Sequence, residues 1–136
     1  MGEDVYVGID VSKTELVVAV RPSGESFTRA YDRAGLKQVV GRLSKLRPKL
    51  VVVEATGGLQ RQVVAALWTA GVAVAAVNPS WVRGYARGSG LLAKTDRIDA
   101  KLLALFAQPR TTHAAAAAGY GDSGATGIGY PARPIT

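Results

Sequence analysis

Residues 50–54 read LVVVE and residues 5–10 read VYVGID: two short apolar runs, each closed by a carboxylate, Glu54 and Asp10. A continuous apolar run bounded by turn residues suits a strand buried on both faces, as in the parallel part of a sheet. Outward from these runs, TELVVAV (14–20) and SFTRAY (26–31) are further β-rich stretches, separated by the turn residues Pro22, Ser23 and Gly24. Three short strands with tight links predict an antiparallel meander. Between the meander and LVVVE the period changes. Leu36, Val39, Val40 and Leu43 fall at helical spacing, and Pro48 ends the segment, which predicts a helix over 34–46.

Past Glu54, Gly57-Gly58 open a predicted helix over 59–70, closed by Gly71. VAVAAV (72–77) is a second buried strand, and Asn78-Pro79 supplies an N-cap and a first-turn proline. Residues 81–93 show no clean period and carry glycines at 84, 88 and 90. They read as a mobile or partly helical segment. Thr95 or Asp96 is predicted to cap a last helix running to about residue 106 or 107. The order β-β-β-α-β-α-β-(loop/α)-α places the chain in the α/β class, antiparallel strands first and parallel units after. Residues 109–136 are rich in Gly and Ala with no period, so composition predicts a disordered tail behind a domain at 1–108.

Composition narrows the function. The chain has 136 residues, 48% apolar, enough to bury a core. It has no cysteine, which excludes disulfides and thiolate metal sites. The lone His113 lies in the low-complexity tail, with no second His or Cys to complete a zinc site. No apolar run nears the roughly 20 residues of a membrane span, and no basic-then-apolar leader opens the chain, so a cytoplasmic protein without a membrane partner is expected. The net charge of +7 favours a polyanionic partner, nucleic acid foremost.

Four acids stand out: Asp10, Glu54, Asp96 and Asp99. If the strands ending in Asp10 and Glu54 pair in parallel, the two carboxylates meet at the strand ends where function gathers in α/β sheets. Asp96 and Asp99, three apart on a predicted helix, would share one face. Carboxylates so clustered stay ionised only with cations among them, and an oxygen-only set suits Mg²⁺ or Mn²⁺. Each acid also has a plainer reading. Asp10 can end a strand, Glu54 can face a helix N-terminus, and Asp96 and Asp99 can be a cap and a first-turn acid. Lys13, Arg83, Arg87, Lys94, Arg97 and Lys101 flank these acids or the segment before them, and either hold phosphates or form a solvated basic face. Trp81 and Tyr85, four apart, either stack bases or pack in the core.

Four blocks occur in order: GIDVSKTEL (8–16), VVVEATGG (51–58), VNPSWVRGYARGSG (77–90) and AKTDRIDAKLLA (93–104). Together they resemble the bacterial insertion-sequence transposases of the DEDD type, which include the Piv-type DNA invertases. The resemblance covers about residues 4–108. It implies a ribonuclease H-like (RuvC-like) mixed sheet with flanking helices. It also implies Asp10, Glu54, Asp96 and Asp99 as catalytic, metal-ligating acids, and DNA strand cleavage and transfer in transposition. A structured guide RNA and a homo-oligomer, dimer or tetramer, are implied partners. Family members continue into a second domain with a nucleophilic serine. Nothing resembling that domain follows here, so a truncated catalytic domain is expected, and Ser80, Ser89 and Ser123 are not assigned the serine's role. Two other readings stand beside this one. One is a remnant that only binds RNA or DNA. The other is an actin-like ATPase fragment, since GIDVSKT resembles a first phosphate loop, although Ser12 stands where those proteins usually have glycine.

Overall fold

The computed structural model describes residues 3–91 and 97–108. Its elements are β1 (Tyr6–Val11), β2 (Glu15–Arg21), β3 (Ser26–Ala30), α1 (Arg33–Leu46), β4 (Leu50–Glu54), α2 (Gln60–Thr69), β5 (Val74–Val77), α3 (Pro79–Gly88) and α4 (Ala100–Ala107). One five-stranded sheet has the order β3-β2-β1-β4-β5. β1, β2 and β3 pair antiparallel, while β4 lies parallel to both β1 and β5. Three antiparallel strands continued by two parallel ones form a mixed sheet with flanking helices, the arrangement expected from the order of elements in the sequence.

The period-2 alternation of β1 and β4 divides the core in two. Val7, Ile9, Val51 and Val53 point to one face, where Val39 and Leu43 of α1 and Val63, Val64 and Leu67 of α2 cover them. Tyr6, Val52 and Val77 point to the other, under Val82 and Ala86 of α3 and Leu102, Leu103 and Phe106 of α4. Gly8 of β1 lies on this second face. A Cβ built there would stand 2.2 Å from Ala100 O and 2.4 Å from Ala104 N. The absent side chain therefore lets the α4 backbone rest directly on β1, with the small Ala19, Ala100 and Ala104 around the contact.

Local chemistry sets the helix ends. Asp32 caps α1 by accepting from Gly35 N at 2.8 Å. Arg47 closes α1 with φ 50, ψ 58, immediately before Pro48, which disfavours continued helix. Asn78 caps α3 by accepting from Ser80 N, with Pro79 in the first turn as expected. Tyr31 ties the layers together. Its hydroxyl donates to Leu59 O at 2.6 Å and accepts from Val63 N at 3.1 Å, pinning the start of α2.

One expectation is met and one is corrected. The stretch read as mobile or partly helical is helical up to Gly88, as α3, because Val82 and Ala86 bury a stripe while Gly84 and Gly88 face open space. The last helix does not begin after Thr95 or Asp96. Arg97 to Asp99 are non-helical, and Asp99 is the N-cap, at φ −123 and ψ 177, accepting from Leu102 N at 2.9 Å. Asp99 thus stands before the helix and not on one of its faces. Asp96, Thr95 and Lys94 lie outside the described residues, as does the predicted tail.

Candidate active site at the carboxyl ends of β1 and β4

The β1–β4 register runs Tyr6 to Leu50, Gly8 to Val52 and Ile9 to Val53. One residue further, it brings Asp10 alongside Glu54 on the α3–α4 face of the sheet. Both are half-buried. Burial raises the Asp10 carboxyl above its ordinary range; Arg97 opposes the shift and Asp99 adds to it. Burial also raises Glu54, as does the charge of Asp10, while Arg83, a hydrogen bond from Thr56 and Arg97 pull it down. The acids from β1, β4 and the α4 N-terminus therefore act electrostatically on one another. Gly8 is the reason: α4 settles on β1 at Ala100, which holds the preceding Asp99 at the edge where Asp10 emerges.

Cations enter the same edge. The Arg97 guanidinium lies 3.6 Å from the Asp10 carboxylate, and its own side chain is 82% exposed. Arg83, half-buried on α3, acts on Glu54. Lys13, Arg87 and Lys101 are exposed on the β1–β2 turn, α3 and α4 respectively. The donor set toward a cation is oxygen-only, which suits hard divalent ions. Among the described residues no group of three or more acidic or histidine side chains converges tightly enough to hold a metal. Asp10, Glu54 and Asp99 are thus neighbours, not a closed cage.

The model of the DEDD transposase family of IS110 type, described as a transposase, matches residues 7–119. The chain belongs to this transposase family. No curated protein matches the chain. Among solved structures, the transposase chain is similar to T. thermophilus RuvC in complex with a Holliday junction substrate, at 24% identity and a TM-score of 0.49, over 86% of this chain and 97% of that one.

Of the transposase acids singled out in the sequence, Asp10 and Glu54 come together, Asp99 stands beside them as a helix cap, and Asp96 falls outside the described residues. Trp81 and Tyr85 pack against the second core cluster, Tyr85 meeting Phe106 edge-on with centroids 5.6 Å apart. Packing, not base stacking, accounts for them. Two contributors went unread in the sequence. Thr56 bonds to Glu54 and carries no signal beyond its place in the turn. Gly8 does carry one, because an isolated glycine inside a strand pattern marks a close backbone approach. Among the described residues no helix is long and apolar enough to cross a membrane.

Proposed function

We propose that this domain carries out the metal-dependent DNA cleavage and strand transfer of a transposase, with Asp10, Glu54, Asp96 and Asp99 as its acidic residues and Mg²⁺ or Mn²⁺ as its cofactor. The supporting observation is the pair Asp10–Glu54, set side by side on parallel strands and driven by burial and mutual repulsion to take up positive charge. Divalent ions bound there would activate a water or hydroxyl and stabilise the leaving oxygen of a phosphodiester. Arg97 holds positive charge beside Asp10 and is exposed enough to turn toward a phosphate. Lys13, Arg83, Arg87, Lys94 and Lys101 position the backbone of the DNA around the acids. A structured guide RNA and a dimeric or tetrameric assembly complete the reading, as does action in the cytoplasm with residues 1–108 as the catalytic unit.

A second reading is a nucleic-acid-binding module without chemistry. It is favoured by the net charge of +7, which suits phosphate contacts with or without chemistry. Titration calorimetry of Mg²⁺ and Mn²⁺ into the wild type and Asp10→Asn separates the two. Binding that Asp10→Asn abolishes supports the catalytic reading. A folded wild type that takes up neither ion, alone or with DNA, leaves the binding module.

A further inference from the structure

The net charge of the chain is concentrated away from the acids. Residues 25–49 hold seven Lys or Arg against two acids, a net of +5 within a chain of +7. Both acids are engaged: Asp32 caps α1, and Glu25 pairs with Arg42. Five of the seven cations lie on α1 and β3, on the side of the sheet away from Asp10 and Glu54. Arg33, Lys37 and Lys45 are exposed on α1. Beside them, Arg29, Gln38, Arg42, Lys45 and Leu46, with the Arg42-paired Glu25, line an open groove of about 670 Å³ between α1 and the edge strand β3. The Phe27 ring of this face is covered by guanidinium groups, Arg42 at 4.4 Å and Arg29 at 5.0 Å from its centroid. Those contacts hold two cations over the ring, where they compete with any base for it.

We infer that the α1–β3 face is a second nucleic-acid surface, a cradle for the phosphate backbone of duplex DNA, formed by Arg29, Arg33, Lys37, Arg42 and Lys45. The inference rests on the proposed action on DNA but uses none of the residues assigned to that action. A row of Lys and Arg side chains along one helix, with the Phe27 ring already under two guanidinium groups, fits a duplex phosphate backbone better than splayed single-stranded bases. The 14 residues of α1 extend about 21 Å, the rise of about six base pairs. The band reaches the edge that holds the acids. Arg33 follows Tyr31 by two residues, and Tyr31 bonds to Thr14 O and to Leu59 O in the loop after Glu54. DNA leaving the acids over this edge meets Arg33 first and Lys45 last.

The test is fluorescence anisotropy of a labelled duplex of about 30 base pairs with the full chain. It is run without divalent ions over roughly 50 to 200 mM salt, the range in which phosphate neutralisation dominates affinity. The triple variant Arg33→Gln, Lys37→Gln, Lys45→Gln alters only exposed side chains and spares the Phe27 contacts. Its log–log salt slope is expected to be shallower by about 2 to 3, near 0.9 for each phosphate that the variant no longer neutralises. Adding charge to the same face with Gln38→Lys and Ser44→Lys is expected to steepen the slope. An unchanged slope in both variants overturns the inference, as does a wild type that binds no duplex. So does a triple variant that keeps duplex affinity while losing that for an RNA hairpin of similar length. Failure of the catalytic reading appears separately, in the metal calorimetry, which reads ion uptake and not duplex affinity.

Discussion

Replacing Gly8 by alanine tests whether the close seating of α4 on β1 builds the acidic edge. The new Cβ would lie 2.2 Å from Ala100 O, 2.4 Å from Ala104 N and 2.7 Å from Leu103 Cβ. Ordinary carbon contacts need about 3.5 Å, so α4 must lift by more than about 1 Å. Two of the three clashing atoms are backbone, and no rotamer change relieves them. Overpacking of this kind costs about 1–3 kcal/mol. The upper end is expected here, because α4 is apolar on nearly every side and cannot tilt without exposing Leu103 or Phe106. For a domain of this size that loss lowers Tm by on the order of 10 °C. Lifting α4 also draws Asp99 away from Asp10, so Mg²⁺ affinity measured by calorimetry should fall in the variant even well below its melting point. Chemical denaturation supplies the stability change on the same samples. A Gly8→Ala protein with unchanged stability and metal uptake would refute the account of how β1 and α4 meet.

Other outcomes follow from individual side chains. Tyr31→Phe removes the bonds to Leu59 O and Val63 N and should cost about 1–2 kcal/mol in urea denaturation, with hydrogen exchange rising first at the start of α2. At Asp99, asparagine keeps the cap while alanine loses it. Asp99→Ala should cost about 1 kcal/mol and Asp99→Asn little, whereas both should weaken divalent-ion binding if the charge serves the site; Asn with wild-type metal affinity would leave Asp99 a cap only. Asp10 and Glu54 hold protons more tightly folded than unfolded, so in metal-free protein their contribution to stability declines as pH rises from the ordinary carboxylate range near ~4 through their raised values. Relative to wild type, Asp10→Asn with Glu54→Gln should therefore gain stability as pH rises, read from urea midpoints in a chelator. Arg97→Gln should raise the Asp10 carboxyl further, measured by carbon-13 NMR titration, because the guanidinium at 3.6 Å is what restrains it.

The sheet was legible in the sequence because β1, β4 and β5 are short, mainly apolar runs that bury on both faces, and no competing period exists there. The placing of Asp10 beside Glu54 was legible for the same reason: each closes such a run, and parallel pairing does the rest. α3 was obscured because Gly84 and Gly88 dilute its pattern, yet both face open space and leave the buried stripe intact. The start of α4 was obscured differently. Thr95, Asp96 and Asp99 are all capping residues, and local propensity alone does not choose among three caps within five positions. The choice is tertiary. Ala100 and Ala104 are the residues small enough to rest on Gly8, one turn apart, and a helix anchored by that pair has Asp99 as the residue before its first turn. The cap uses one oxygen of Asp99, Oδ1 toward Leu102 N. Its charge still reaches Asp10 and raises that carboxyl. Capping and site chemistry, set against each other when the sequence is read alone, are therefore compatible in one residue, and the close approach at Gly8 is what allows Asp99 to serve both.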